Sequence, residues 1–278
     1  MSKHGLKAAS LEEDFLEYGN SKIHFLKFGN GGKLLIALHG FGDQASVFFP
    51  LEPALKKDYT VYAFDLPFHG QSQWQSDSFS KGNMLDIFKL ILKREHKTRF
   101  ELMGFSFGGR IILSSLLEII PKLDKVYLIA PDGVQTKRIF NAILVPVWLR
   151  RLIKKQIDQP EWVIKILEKA YQVGLLSKFN FSFVRHNIAT KKRRERIFNT
   201  WISLSDFRVD LKKTRNILKE HSIPTELYFG KLDKIIPLEV GEKLSKGIPN
   251  IRLNVLEEGH LLLNEKLNDL INDQLKII

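Results

Sequence analysis

Cysteine is absent from the 278 residues of this chain. That excludes a disulfide framework, a cysteine nucleophile and a thiolate metal site, and leaves the compartment open. No apolar run approaches the ~20 residues that a membrane-spanning helix needs. The first residues, Met1-Ser2-Lys3-His4-Gly5-Leu6-Lys7, carry no apolar signal core, so a cytoplasmic protein is expected. No internal repeat and no low-complexity segment is evident. What remains is a chain with 44% hydrophobic and 27% charged residues, long enough to bury a sizeable core in a single soluble domain.

Apolar runs recur along the sequence. Residues 15–18, 23–28, 33–39, 60–65, 100–105, 125–130, 225–230 and 251–256 read as strands. The later runs are continuous rather than alternating, as expected where helices cover both faces of a parallel sheet. Between them, Met84, Ile87, Phe88, Ile91 and Leu92 recur at helical spacing within 83–97, and 106–120, 237–246 and 261–277 are further helices by the same pattern.

One junction carries chemistry. Gly104-Phe105-Ser106-Phe107-Gly108-Gly109 ends one apolar run and opens another. A serine on so sharp a strand-to-helix turn is held in a strained conformation, with its hydroxyl projecting from the end of the sheet. Serine is a poor nucleophile unless a base takes its proton, and the base needs an orienting acid. Asp233 follows the strand at 225–230, and His260 follows the strand at 251–256. Each has a bland reading alone, as a turn aspartate and a helix-terminal histidine. Their joint placement after separate strands, in the order Ser106, Asp233, His260, is the nucleophile-acid-base order of the α/β-hydrolases.

Most of the chain resembles that superfamily. His39-Gly40-Phe41-Gly42 looks like its oxyanion loop after the third strand. Asp65-Leu66-Pro67-Phe68-His69-Gly70-Gln71-Ser72 resembles its Asp-x-Pro-Gly-x-Gly-x-Ser stretch, with Phe68 where the family usually has glycine. Gly230-x-x-Asp233-x-x-x-Pro237 and Gly259-His260 are similar to its acid and base motifs. Asp132, in Ala130-Pro131-Asp132-Gly133, is a second acid candidate, since some members carry the acid after that earlier strand; the motif around Asp233 matches better. The resemblance implies a mostly parallel eight-stranded sheet with helices on both faces and a helical cap inserted between strands 6 and 7. It implies a core of 1–131 and 216–278 and a cap of 132–215. It also implies an oxyanion hole from the backbone N–H groups of Phe41 and Phe107, and neither metal nor cofactor. His39 is similar to the family's structural histidine beside the oxyanion loop.

The inserted segment is unusual in charge. Residues 132–215 hold 19 Lys and Arg against 7 Asp and Glu, a net +12, while the rest of the chain has 24 of each. Solvated helix faces, an anionic lipid surface and an anionic substrate all fit that field. The lipid reading gains from residues 143–155, which mix Trp148 and aliphatics with basic residues. The run Lys191-Lys192-Arg193-Arg194 comes with no nucleic-acid module, so nucleic acid is not expected. The segment is also aromatic, with Phe179, Phe181, Phe183, Trp162, Tyr171, Phe198, Trp201 and Phe207. Most would pack the cap; some, with Phe105, His69 and Trp148, would line an apolar substrate pocket. The expected function is therefore a carboxylesterase- or lipase-like serine hydrolase for a small apolar or amphiphilic ester or thioester, cytoplasmic, with peripheral contact to an anionic membrane as an open addition. A carbon–carbon hydrolase or lyase, a cofactor-free haloperoxidase and a non-catalytic ligand-binding protein of the same fold remain alternatives.

Overall fold

The computed structural model describes residues 11–134, 154, 157–158, 160–203 and 206–276. Its strands are β1 (Glu12–Tyr18), β2 (Ser21–Phe28), β3 (Lys33–Leu38), β4 (Tyr59–Phe64), β5 (Phe100–Phe105), β6 (Leu123–Ile129), β7 (Thr225–Gly230) and β8 (Ile251–Leu256). They form one eight-stranded sheet in the order β1-β2-β4-β3-β5-β6-β7-β8. The β1–β2 and β2–β4 pairs are antiparallel, and every pair from β4 onward is parallel. This is the mostly parallel, eight-stranded sheet that the resemblance implies, with an antiparallel edge at β1 and β2. β5 and β7 are buried at every residue, whereas the edge strands β1 and β8 keep exposed positions. Only a strand covered on both faces can be buried throughout.

The covering helices are α1 (Glu52–Leu55), which continues a 3-10 turn at Ala45–Leu51, α2 (Lys81–Arg94) and α3 (Phe107–Ile119). The insertion between β6 and β7 contains α4 (Glu161–Gln172), α5 (Lys178–Ile188) and α6 (Lys191–Ser203), followed by α7 (Leu211–Glu220); α8 (Glu239–Ser245) and α9 (Glu265–Lys276) complete the chain. On one face of the sheet, Leu35, Ala37, Val61, Met103 and Ile129 pack with Phe48, Leu51 and Leu55 and with Leu267 and Ile271 of α9. Elsewhere α2 packs against α3, α3 against α7, and α7 against α8.

Local chemistry sets the helix ends. α2 starts two residues before the expected 83 because Ser80 and Asn83 form a reciprocal capping box. It stops at Arg94 because His96 takes a left-handed conformation, φ 51°, and Lys97 N–H reaches back to the Leu92 carbonyl at 2.9 Å. α9 begins at Glu265, not at 261 as its pattern suggests. Asn264 caps it by accepting from Leu267 N–H at 3.2 Å, so residues 261–264 remain loop.

Two compact units divide the chain. The first comprises residues 1–75, 80–135 and 207–278, and the second 76–79 and 136–206. Within the second, α4 packs on α5 and α5 on α6, and the Tyr171 and Phe181 rings stack with centroids 4.3 Å apart. Arg194 ties its loops by donating to the Ile157 carbonyl at 2.7 Å and the Ile188 carbonyl at 2.8 Å. Trp148 and most of 143–155 lie outside the described residues, as do the side chains of Phe179 and Phe183. Among the described residues no helix is long and apolar enough to cross a membrane.

A polar cluster lies at the amino-terminal ends of the central strands. Tyr59 donates to the Glu101 carboxylate at 2.8 Å, so the 2.9 Å contact between the Tyr59 and Tyr127 hydroxyls has Tyr127 as donor. Burial raises Glu101 above the usual carboxylate range, partly offset by the Tyr59 hydrogen bond and by Lys33 and Lys125. A carboxyl raised in the folded state favours folding while protonated. Its contribution is whole below the unfolded value and is lost as pH rises through the folded one. Glu101→Gln keeps an acceptor for Tyr59 and removes the ionisation. Denaturant titrations at pH 5 and pH 8 should show this variant gaining stability relative to the parent as pH rises; a difference independent of pH would refute the assignment.

Candidate active site

β5 ends at Phe105 and α3 begins at Phe107, so Ser106 alone turns the chain from strand to helix. It does so at φ 49° and ψ −109°, a conformation that costs a non-glycine residue about 1–3 kcal/mol. The surroundings enforce it. Ser106 N–H donates to the Ile129 carbonyl at 2.9 Å, and the Ser106 carbonyl accepts from Asp132 N–H at 2.9 Å and Arg110 N–H at 3.2 Å. The turn also needs bare backbone beside it. A Cβ on Gly108 would sit 1.9 Å from the Leu38 carbonyl oxygen, so α3 can cross the end of β3 only with glycine there.

The acid and the base arrive on neighbouring strands. β7 and β8 are paired and parallel, so the loops after them leave the same edge of the sheet. Leu232 N–H donates to the Glu258 carbonyl at 2.9 Å and laces the two loops together. A Cβ on Gly230 would lie 2.4 Å from both the Glu258 and Gly259 carbonyl oxygens, which explains glycine at that crossing. The Asp233 side chain is fully enclosed. Its Oδ1 accepts from Ile235 N–H at 2.7 Å and Ile236 N–H at 2.9 Å, and its Oδ2 lies 2.7 Å from His260 Nδ1. An ionised carboxylate only accepts, so Nδ1 carries the proton and Nε2 is left as the basic atom. The imidazole packs against the Phe105 ring at 5.2 Å between centroids, beside the residue that precedes Ser106.

Asp132, the other acid candidate, has a different partner: its Oδ2 is 2.9 Å from Arg110 Nη2. Arg110 draws attention in the sequence only as the first residue of an apolar run. The signal was a lone cation one helical turn after Ser106.

The loop after β3 brings Phe41 toward the same place. Asp43 N–H closes a turn on the Gly40 carbonyl at 3.2 Å, and Gly40 is so close to the Phe105 ring that a Cβ would meet it at 3.1 Å. His39 Nε2 accepts from Leu66 N–H at 3.0 Å, so its Nδ1 donates to the Gly40 carbonyl at 2.7 Å. That bond holds this loop to the one after β4. Phe107, as the first residue of α3, places its N–H in the donor-rich helix N-terminus. Asp65 organises the loop after β4 by accepting from Ala45 N–H at 2.6 Å and Gln71 N–H at 2.7 Å and by pairing with His24 Nδ1 at 2.7 Å. Phe68 adopts φ 70°, the left-handed conformation that glycine would take without strain. His69 is buried, with Nδ1 2.9 Å from the Pro67 carbonyl and its ring edge-on to Phe41.

Comparison with known proteins adds three kinds of likeness. The α/β hydrolase fold family matches residues 33–267. The uncharacterized hydrolase YugF of Bacillus subtilis is 27% identical over 253 residues, 88% of this chain and 89% of that protein. The pimeloyl-[acyl-carrier protein] methyl ester esterase of Legionella pneumophila is 27% identical over 233 residues, 83% of this chain and 87% of its own. Among solved structures, a thermophilic esterase from Thermogutta terrifontis superposes with a TM-score of 0.69 at 17% identity, covering 97% of this chain and 99% of that one. At that identity the superposition speaks for the fold.

The glycine crossings can be checked directly. Gly108→Ala should lose about 2–3 kcal/mol or more in denaturant unfolding, because the added methyl meets backbone. Gly259→Ala, whose Cβ has nothing within 4 Å, should stay close to the parent. Equal stabilities for the two variants would contradict the packing.

Proposed function

The chain belongs to the α/β hydrolase fold family, and from that premise we propose that it is a serine hydrolase that cleaves an ester or thioester with an apolar acyl group. Ser106 is the nucleophile, His260 the general base and acid, and Asp233 the group that holds the imidazole in its working tautomer. Ser106 Oγ attacks the acyl carbonyl and its proton passes to His260 Nε2. The oxyanion is held by the backbone N–H groups of Phe107 and Phe41, each worth about 3 kcal/mol of transition-state stabilisation. His260 then protonates the leaving alcohol or thiol. Water, deprotonated by the same imidazole, releases the acid. The observation that carries this reading is the enclosed Asp233 carboxylate, whose Oδ2 bonds His260 at 2.7 Å while the imidazole lies against the residue preceding Ser106. The names of the relatives favour an ester over a carbon–carbon bond. Phe105 and His69, packed around the Phe41 loop, would shape the acyl pocket.

The basic insertion supports a partner for an amphiphilic substrate. On α4, Trp162 and Ile166 share one helical face and are 53% and 58% exposed, and just beyond the helix Val173 and Leu175 are 61% and 78% exposed. Lys165 and Lys169 are exposed on the same helix. An apolar ridge edged by lysines is the pattern that settles into the headgroup layer of an anionic bilayer. In this reading the insertion makes peripheral contact with such a membrane.

Two measurements test these readings. Ser106→Ala should abolish turnover of a graded series of p-nitrophenyl esters and leave the melting temperature unchanged, and the parent should show a chain-length optimum; full activity in the variant would remove Ser106 from the chemistry. In vesicle sedimentation, the protein should pellet with phosphatidylglycerol-containing vesicles at low salt and not with neutral ones, and Ile166→Asp should weaken binding. Equal partitioning to both vesicles, indifferent to salt, would exclude the membrane contact.

A further inference from the structure

The roles above leave unexplained an ion pair that touches the serine turn. Arg110 Nη2 and Asp132 Oδ2 are 2.9 Å apart. Asp132 N–H and Arg110 N–H both donate to the Ser106 carbonyl, at 2.9 and 3.2 Å, and the second Asp132 oxygen accepts from Gly133 N–H at 2.6 Å. The contacts close a ring: from the Ser106 carbonyl to Arg110, through its guanidinium to the Asp132 carboxylate, and back along Asp132 N–H to the same carbonyl. The Arg110 side chain is only 12% exposed, and its Nε is buried with no acceptor among the described residues. A largely buried pair with a donor left over is a poor source of net stability. What the ring does is geometric.

The carbonyl it grips belongs to the Ser106–Phe107 peptide. That unit is planar, and its C=O and N–H point in opposite directions. Clamping the carbonyl toward Asp132 therefore aims the Phe107 N–H at the other side, and it fixes the ψ of Ser106, already strained at −109°. We propose that Asp132 and Arg110 are positioning residues that lock the Ser106–Phe107 peptide plane and so aim the Phe107 N–H at the oxyanion. This rests on Ser106 and Phe107 having the roles given above. Neither side chain touches the reacting atoms; both act through one peptide.

A misaimed donor weakens the transition state and spares ground-state binding. Asp132→Asn and Arg110→Met should each lower kcat on p-nitrophenyl butyrate about tenfold, leave KM within about twofold, and weaken a trifluoromethyl ketone inhibitor by the same factor as kcat. The double variant should be no worse than either single one, because the two groups act as one unit. Arg110→Lys, which keeps the charge, should recover most of the loss. Unchanged kcat and ketone affinity in the folded variants would overturn the proposal. So would a kcat loss without a matching loss of ketone affinity, losses that multiply in the double variant, or failure of all the variants to fold, which would make the pair a structural clamp only. Ser106→Ala is run alongside: if it still turns over, the nucleophile assignment has failed, whereas an inactive Ser106→Ala with parental kinetics in the Asp132 and Arg110 variants sinks the positioning role alone.

Discussion

A carboxylate with no access to water dictates the arrangement of the candidate site. Asp233 must have donor partners for both oxygens or lose several kcal/mol. Two N–H groups of its own turn satisfy Oδ1, and Oδ2 is left to His260. Satisfying that last oxygen sets the tautomer of the imidazole, its orientation and the direction of its free nitrogen. The bond is possible because adjacent parallel strands release their loops at the same edge, where Gly230 lets the two backbones cross.

The same logic of enclosure runs through the rest of the sheet. Central strands buried on both faces allow polar chemistry only at their ends. At the carboxyl ends, strained Ser106 is held by carbonyl and amide partners from β6 and the residues that follow it. Near the amino ends of β4 and β5, Tyr59 and Glu101 are satisfied together with Tyr127 of β6. Burial pushes the Glu101 carboxyl up, partly offset by the Tyr59 hydrogen bond and by Lys33 and Lys125.

Much of this was legible in the residues. Apolar runs located the eight strands of the sheet, most plainly in the central strands, where burial on both faces favours an apolar composition. The Gly-rich stretch around Ser106 pointed to a sharp turn, and the turn is there. Other features depend on contacts between distant segments and leave no local mark. The short α1 has too few residues for a period to emerge, and Pro50 and Pro53 obscure what pattern there is. The start of α9 depends on the Asn264 side chain, which competes with the apolar spacing upstream of it. The Asp132–Arg110 pair joins residues on either side of β6. In the sequence it is one turn aspartate and one helix cation, and only the fold makes them neighbours. Phe68 stands where the resemblance leads one to expect glycine, and it adopts a glycine-like φ of 70°.

The most direct test of the central claim is the site and rate of covalent modification by an alkyl fluorophosphonate, read by intact mass and peptide mapping. A Ser106 nucleophile activated by the Asp233–His260 pair predicts one adduct per chain, on the peptide containing Ser106, with modification slowed at least a hundredfold in His260→Ala. An adduct on another residue, or labelling of His260→Ala at the parental rate, would contradict it.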